Sequence, residues 1–379
     1  FYRYNRFIAL NEVGGHPDHF GIALDEFHAA NALRAQRWPN SLLSTSTHDT
    51  KRGEDARARL AVLSELPEAW AQHVTLWSRM LGVDGHDGLR VPDANDEYLF
   101  YQLLVGTWPA ALITGGQLDR TQLQTYVERL KTVMRKSLRE AKQNSTWATP
   151  NAAYENGVLE FIERALDSSR SSDFLQSFLT FAARIARLGV HNSLIQTALK
   201  LTAPGVPDLY QGTELWNLSM VDPDNRRAVD YATRRQLLEE WLAAATERRL
   251  ELLRRYLDHW QDGRIKLALT HMILDLRRTH AKLFEKGSYE PCVAQGDKAD
   301  QIAAFVRSDE SSVVLVAVAR FPARREFDSL WDTTRIPLTE KLQGKTWREL
   351  LTGRKAKAVA AFNAESLFEV VPVAIWVAE

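Results

Sequence analysis

One cysteine, Cys292, is all the thiol chemistry in a chain of 379 residues. No intramolecular disulfide can form and no thiolate metal site can be built, a usage that fits a reducing cytoplasm; a cytoplasmic location is the expectation. No run of 18 apolar residues occurs, so no helix is expected to span a membrane. An excess of charge is lacking too. With 48 basic residues against 48 acidic ones, there is no electrostatic footprint for nucleic acid or for an anionic membrane surface. Internal repeats and low-complexity tracts are absent, and the stretch from Phe1 on does not read as a signal peptide. The chain opens on Phe1 rather than Met, and it is expected to be a piece of a longer protein.

What is present suits a soluble protein of two or three domains: 45% hydrophobic and 25% charged residues, over a length that supports real cores. The 11 Trp and 10 Tyr residues can offer faces to the apolar C–H side of pyranose rings, or simply fill cores. A helix is expected over Ile22–Arg37, after a Gly14-Gly15 turn, and a short strand over Ser41–Thr45. From Gly53 to Leu201 the apolar period is helical almost throughout. Helices are expected at Glu54–Leu66, around the Trp70, Val74, Trp77, Leu81 stripe, and at Glu97–Trp108, Leu118–Lys142, Ala152–Leu166, Asp173–Gly189 and His191–Thr202. The loop from Gly82 to Asp96 carries Asp84, Asp87, Asp93 and Asp96 without the spacing of an EF-hand, and it reads as a solvated loop rather than a calcium site. Trp147 and Tyr154 flank a loop-to-helix junction, where a hydrophobic staple with its cap competes with a functional role. After Val206–Tyr210, a second short strand with Pro207 expected as its first residue, come helices at Thr233–Thr246, Arg248–His259 and Ile265–Phe284. Beyond Gly287 the pattern changes to strands at Gln301–Arg307, Ser312–Ala319, Thr346–Leu351 and Leu367–Val377.

The chemistry concentrates at Thr47-His48-Asp49-Thr50-Lys51-Arg52-Gly53-Glu54-Asp55. A strand ending in His-Asp that runs into a helix puts both side chains at the strand's C-terminal end, where β/α folds keep catalytic groups. The competing reading is that Asp49 or Thr50 caps the helix. A second polar cluster, Asp222, Asp224, Asn225, Arg226, Arg227 and Asp230, is either a loop made rigid by Arg–Asp pairs against a site or a salt-bridged surface loop.

The 47–55 stretch, with Arg57-Ala58-Arg59, resembles the maltooligosyltrehalose synthases, a branch of the α-amylase superfamily (glycoside hydrolase family 13). Further segments agree: Phe1-Tyr2-Arg3-Tyr4-Asn5-Arg6, Leu10-Asn11-Glu12-Val13-Gly14-Gly15, Pro204–Glu214 and Asp222-Pro223-Asp224-Asn225-Arg226-Arg227. The resemblance runs the whole length of the chain and implies the C-terminal part of such an enzyme. The implied fold is mainly α with β: the last two strands of an α-amylase-type (β/α)₈ barrel, a large helical insertion between them, and a closing antiparallel β-sandwich. Residues 1–52 would hold the seventh barrel strand, 53–190 the helical insertion, 191–286 the eighth strand and following helices, and 287–379 the sandwich. A complete barrel repeats its strand–helix unit eight times over about 250 residues. With two such strands in the first two hundred residues, this chain does not hold a complete one.

Retaining glycosidases and transglycosylases need a nucleophile and an acid/base carboxylate about 5 Å apart. The α-amylase superfamily adds a third carboxylate, which binds the hydroxyls of the reacting sugar and favours the transition state. By motif, the resemblance implies that Asp49 is this transition-state stabiliser, with His48 as its hydroxyl-binding neighbour. It places Lys51 in the reducing-end pocket, and gives Arg52, Tyr2, Tyr4, Asn225 and Arg226 as substrate-binding residues. The family's other two carboxylates stand on earlier strands, and nothing here matches their motifs. Glu12, Glu54, Asp55, Asp208 and Glu214 read as structural.

The reaction implied is that of a (1→4)-α-D-glucan 1-α-D-glucosylmutase. The reducing-end glucose of a malto-oligosaccharide is cleaved, held in a pocket, and re-attached through its anomeric hydroxyl as an α,α-1,1 trehalosyl end. The helical insertion would be a lid that keeps water out. No metal or organic cofactor is implied. The partners are the glucan substrate and the missing N-terminal barrel portion. Without two of three carboxylates the chain alone is expected to be inactive. The alternatives are an α-amylase-type hydrolase, which would share His48 and Asp49, and a non-catalytic carbohydrate-binding or structural module.

Overall fold

A computed structural model describes residues 1–82, 90–113, 118–244, 248–328, 330–357 and 360–379. In chain order its first half holds α1 (Leu24–Arg37), β1 (Leu42–Ser44), α2 (Glu54–Leu63), α3 (Pro67–Leu81), α4 (Ala94–Thr107), α5 (Arg120–Ala141), α6 (Ala152–Leu166) and α7 (Ser172–Thr202). There follow β2 (Val206–Asp208), α8 (Tyr231–Leu242), α9 (Arg249–Asp258), α10 (Arg264–Thr279) and α11 (Ala281–Lys286). The last stretch holds β3 (Ser288–Cys292), β4 (Ile302–Ser308), β5 (Val313–Ala319), α12 (Pro322–Phe327), β6 (Arg335–Pro337), β7 (Thr346–Glu349), β8 (Lys355–Lys357), β9 (Ala361–Asn363), α13 (Ala364–Leu367) and β10 (Val373–Ala378). No described helix is long and apolar enough to cross a membrane. Of the Asp-rich loop, Asp84 and Asp87 lie outside the described residues.

The chain divides into two compact units, the first made of Phe1–Phe20, His48–Gly189 and Asn217–Ala228. Its core is aromatic: Trp77 is fully buried and meets Tyr101, Phe174, Phe178 and Phe181 edge-on or tilted, at 5.5–5.9 Å between ring centroids. Aromatic pairs favour such edge-to-face geometry. The Trp70–Trp77–Leu81 stripe is therefore core, as its helical spacing implies. α2 stops at Leu63, short of the expected Leu66, and Pro67 occupies the first turn of α3, where a missing N–H costs nothing.

Gly189 was the expected break between two helices, yet α7 continues through it for 31 residues. The glycine is there for space. A Cβ at this position would stand 2.6 Å from Arg59 Cγ, and Arg59 is itself buried, donating to the Trp108 carbonyl at 2.6 Å.

The second unit comprises Gly21–Thr47, Val190–Trp216 and Val229–Glu379. Here β1 and β2 pair in parallel, Leu42 with Val206 and Ser44 with Asp208. Pro207 lies in the middle of β2, opposite Leu43, rather than at its start. Val206 N–H bonds the Ser41 carbonyl at 2.9 Å, so the next nitrogen faces away from the partner, and a proline there removes no ladder bond.

The C-terminal strands form an antiparallel six-stranded sheet in the order β3-β4-β5-β10-β7-β8 and a two-stranded sheet, β6-β9. Ile302, Ala304, Val306, Leu315, Ala317 and Trp376 pack with Ile336 and Phe362 of the small sheet. The alternation of strands β4 and β5 is hidden because both their faces are covered. Leu367, expected to start the last strand, instead ends the short helix α13, and β10 begins at Val373. Arg307 is buried and donates to the carbonyls of Thr202, Leu283 and Ser288, closing the open C-terminal ends of α7 and α11.

Candidate active site

The His48–Gly53 turn is held from both sides inside the first unit. Glu12 accepts the Lys51 N–H at 2.8 Å on one carboxylate oxygen and the Arg52 N–H at 2.9 Å on the other. Asn225 Nδ2 donates to the His48 carbonyl at 2.8 Å. Gly53 N–H bonds the Ser219 carbonyl at 2.8 Å, and Asp55 accepts from the Asn217 N–H at 2.6 Å. The backbone there is so close that a Cβ on Gly53 would lie 2.4 Å from the Asn217 carbonyl oxygen; only glycine fits. Helix α2 starts at Glu54 with Gly53 as its N-cap, and no side chain caps it. Asp49 and Thr50 are therefore not cap residues.

Asp49 presents its carboxylate outward, with 58% of the side chain exposed, while Lys51 is 12% exposed and reaches Asp49 Oδ1 at 3.0 Å. The Lys51 ammonium also donates to the Asp49 carbonyl at 3.0 Å and stands 5.4 Å from the centre of the Phe1 ring. The bond from Lys51 holds the Asp49 carboxyl below its ordinary pKa, with the charges of Lys51, His48 and Lys136 acting the same way. Asp49 is thus an ionised acceptor with a donor fixed beside it. Arg52 turns inward, fully buried, and burial brings its guanidinium down to about 10 against the pull of Glu12. Its Nη1 lies 3.4 Å from the carbonyls of Ile8 and Asn11.

Tyr2 is half-buried, and desolvation pushes its phenol up to about 12; Arg52 opposes this, while Glu140, Asp49 and Glu12 add to it. Tyr2 thereby shares an electrostatic neighbourhood with the turn. Tyr4 contributes its backbone carbonyl, which accepts from Asn11 Nδ2 at 2.7 Å, and keeps its ring exposed. Arg226 is exposed and pairs with Asp222. His48, Asp49, Lys51, Arg52, Tyr2 and Asn225 are thus brought together around Glu12; the ring of Tyr4 and the guanidinium of Arg226 sit at the margin.

The 222–227 loop carries pairs of its own, Arg226 with Asp222 and Arg227 with Asp224, and is also tied to α5. Asp224 is buried and takes two bonds from Arg129, of 2.6 and 2.9 Å, and a third from the Met220 N–H at 2.8 Å. Although burial works to raise the Asp224 pKa, the Arg129 bonds and charge hold it below its ordinary value. Helix α5 supplies further support that the sequence reading missed: Lys136 donates to the Asp222 carbonyl at 2.7 Å, and Arg3 donates to the Ala141 carbonyl at 2.6 Å. Nothing in the spacing of α5 marks these side chains. Trp147 is no staple: it is 53% exposed, and Asn151 caps α6 by accepting the Tyr154 N–H at 3.1 Å.

No protein-family model matches the chain. Over its whole length it is 38% identical to a protein of Mycobacterium tuberculosis named "Putative maltooligosyl trehalose synthase", of which it covers 43%. Among solved structures, a mutant of maltooligosyltrehalose synthase from Arthrobacter ramosus matches all of the chain with a TM-score of 0.82 at 32% identity, over 44% of that structure. A further maltooligosyl trehalose synthase crystal structure matches with a TM-score of 0.77 at 34% identity, over 45% of its length. The chain thus spans less than half the length of the curated relatives it matches. The resemblance read from the motifs holds over the whole chain, in sequence and in fold, and the matched stretch is a C-terminal portion of those enzymes.

Proposed function

We propose that the protein corresponding to this chain at full length moves the reducing-end glucose of a malto-oligosaccharide from an α-1,4 to an α,α-1,1 link, within one molecule. The observation that carries the reading is the Asp49–Lys51 pair: an ionised carboxylate and an ammonium 3.0 Å apart on a turn whose backbone is fixed by Glu12 and Asn225. The carboxylate accepts from vicinal hydroxyls of the glucose at the cleavage point, and these bonds tighten as the ring flattens toward the oxocarbenium-like transition state. Lys51, on the same turn, donates to the glucose that has been released, so the sugar stays until it is re-attached. His48 donates to the same ring as Asp49.

The attacking and protonating carboxylates are supplied from outside this chain. Glu12 has both oxygens committed to backbone N–H groups, and Asp224 is committed to Arg129, so neither serves. Alone, the 379-residue chain binds glucan at most and turns over none.

Two measurements test this. In the longer enzyme, Asp49→Asn leaves the fold intact and lowers turnover by about a thousandfold or more, because the loss falls on bonds that strengthen in the transition state. A loss of under about tenfold, ~1.4 kcal/mol, would return Asp49 to a structural role. Incubating the isolated chain with maltohexaose yields no trehalosyl ends. Turnover that co-purifies with it and vanishes in Asp49→Asn would put a second catalytic carboxylate within this sequence.

A further inference from the structure

Trp147 is held still and yet left open. Its Nε1–H donates to Glu140 Oε1 at 2.9 Å, and the Arg139 guanidinium lies over its ring, 4.9 Å from the centroid. Arg139 is fixed in turn by two 2.8 Å bonds to the buried Glu155 carboxylate, which also accepts from Ser145. The loop carrying the indole is pinned as well: Thr149 N–H donates to Thr146 Oγ1 at 2.8 Å, and Asn151 N–H to Ser145 Oγ at 3.0 Å. One ring face and the polar edge are thus occupied, while the side chain remains 53% exposed. A preordered aromatic face loses little entropy on binding, which is what a stacking contact needs.

Its surroundings fit a neutral, hydroxylated ligand. The Arg139 charge is balanced by Glu155, and the Glu140 carboxylate sits at the indole edge, an arrangement that repels the phosphates of a nucleic acid. The platform also adjoins the candidate active site. Glu140 precedes Ala141, whose carbonyl anchors Arg3, and the neighbouring Tyr2 phenol senses both Glu140 and Asp49.

We infer that Trp147 is an outlying subsite where a glucose unit of an α-1,4-glucan stacks its C–H face on the indole. This rests on the glucan reading of the Asp49 turn.

The test uses the 379-residue chain labelled with 5-fluorotryptophan, the Trp147 resonance being assigned by Trp147→Phe, and titrated with maltoheptaose. The expected result is a saturable shift of that resonance. Trp147→Ala should weaken maltoheptaose binding about fivefold, the scale of one aromatic contact, while Trp147→Phe retains most of it. If other fluorotryptophans move and Trp147 does not, the platform falls while the glucan reading stands. If no resonance moves, the platform falls too, and the reading of Asp49 is then decided separately by product analysis of the longer enzyme. Repeating the titration in the longer enzyme covers one more outcome. A Trp147 signal blind there to both maltoheptaose and a soluble paramagnetic agent would make the ring a protein-docking face and overturn the inference.

Discussion

Removing the Glu12 carboxylate should loosen the Asp49 turn without unfolding the protein. Its two oxygens accept the N–H groups of Lys51 and Arg52 at 2.8 and 2.9 Å. A bond to a charged acceptor contributes about 1.5–3 kcal/mol, and taking the lower figure for each gives ~3 kcal/mol of local order lost in Glu12→Ala. Water can replace part of this at Lys51, but not at Arg52, which is buried. At ~1.4 kcal/mol per factor of ten, opening of the turn becomes about a hundredfold more frequent. Amide hydrogen exchange resolves this directly: Lys51 and Arg52 should lose about two decades of protection while the buried amides of α4 keep theirs. Glu12→Gln should fall between, because an amide accepts one of the two N–H groups and turns its own NH₂ toward the other. If both amides in Glu12→Ala stay within about threefold of wild type, the carboxylate is not what shapes the turn and the reasoning fails.

Three further outcomes follow from the same geometry. In the longer enzyme, Lys51→Ala should raise the ratio of free glucose to transfer product more than it lowers total bond cleavage; an unchanged ratio in chromatography of the products would leave Lys51 as a simple partner of Asp49. Arg129→Met takes the two-bond partner from the buried Asp224 carboxylate, leaving it Arg227 and the Met220 N–H, and should cost about 2 kcal/mol in urea unfolding, the scale for losing one charged hydrogen-bond partner. Asp224 has a folded pKa below its ordinary value of 3.8, so its contribution is complete above that value and fades as pH falls through the lowered one; wild-type stability should drop with acid there more steeply than that of the variant. Gly189→Ala forces a methyl within 2.6 Å of Arg59 Cγ, and a loss of about 1–3 kcal/mol is expected from thermal unfolding, with no loss meaning that Arg59 can move aside.

Period and residue type carried most of the architecture. Helices such as α3, α5 and α6 show because each buries one apolar stripe, whereas α4 is buried nearly all round; β4, β5, β7 and β10 show as apolar runs set off by turns, and the short strands β3, β6, β8 and β9 do not. What stayed hidden is tertiary. Gly189 looks like a stop in sequence and is a slot for Arg59, since a helix tolerates glycine when another side chain needs the room. Pro207 looks like a strand boundary and lies inside one, because its nitrogen faces away from β1 and owes that partner no bond. His48 and Asp49 were legible as a polar pair between strand and helix, although β1 ends at Ser44 and the pair sits on the turn that follows. Their support was not: Glu12 is distant in sequence and reads as one more acid, and Lys136 and Arg3 act through backbone carbonyls, which leave no trace in residue spacing.

The two clamps on the His48–Gly53 turn come from residue 12 and residue 225, at opposite ends of a long stretch of chain. During synthesis this sets an order of events. Glu12 has emerged before the turn is made, but the turn waits for Asn225. Until then the nascent chain carries His48 and Asp49 without the Asn225 half of their scaffold, and a chain terminated before that residue leaves this turn slack. The position of Asn225 makes the His48–Gly53 turn among the last parts of the first unit to gain its full set of bonds.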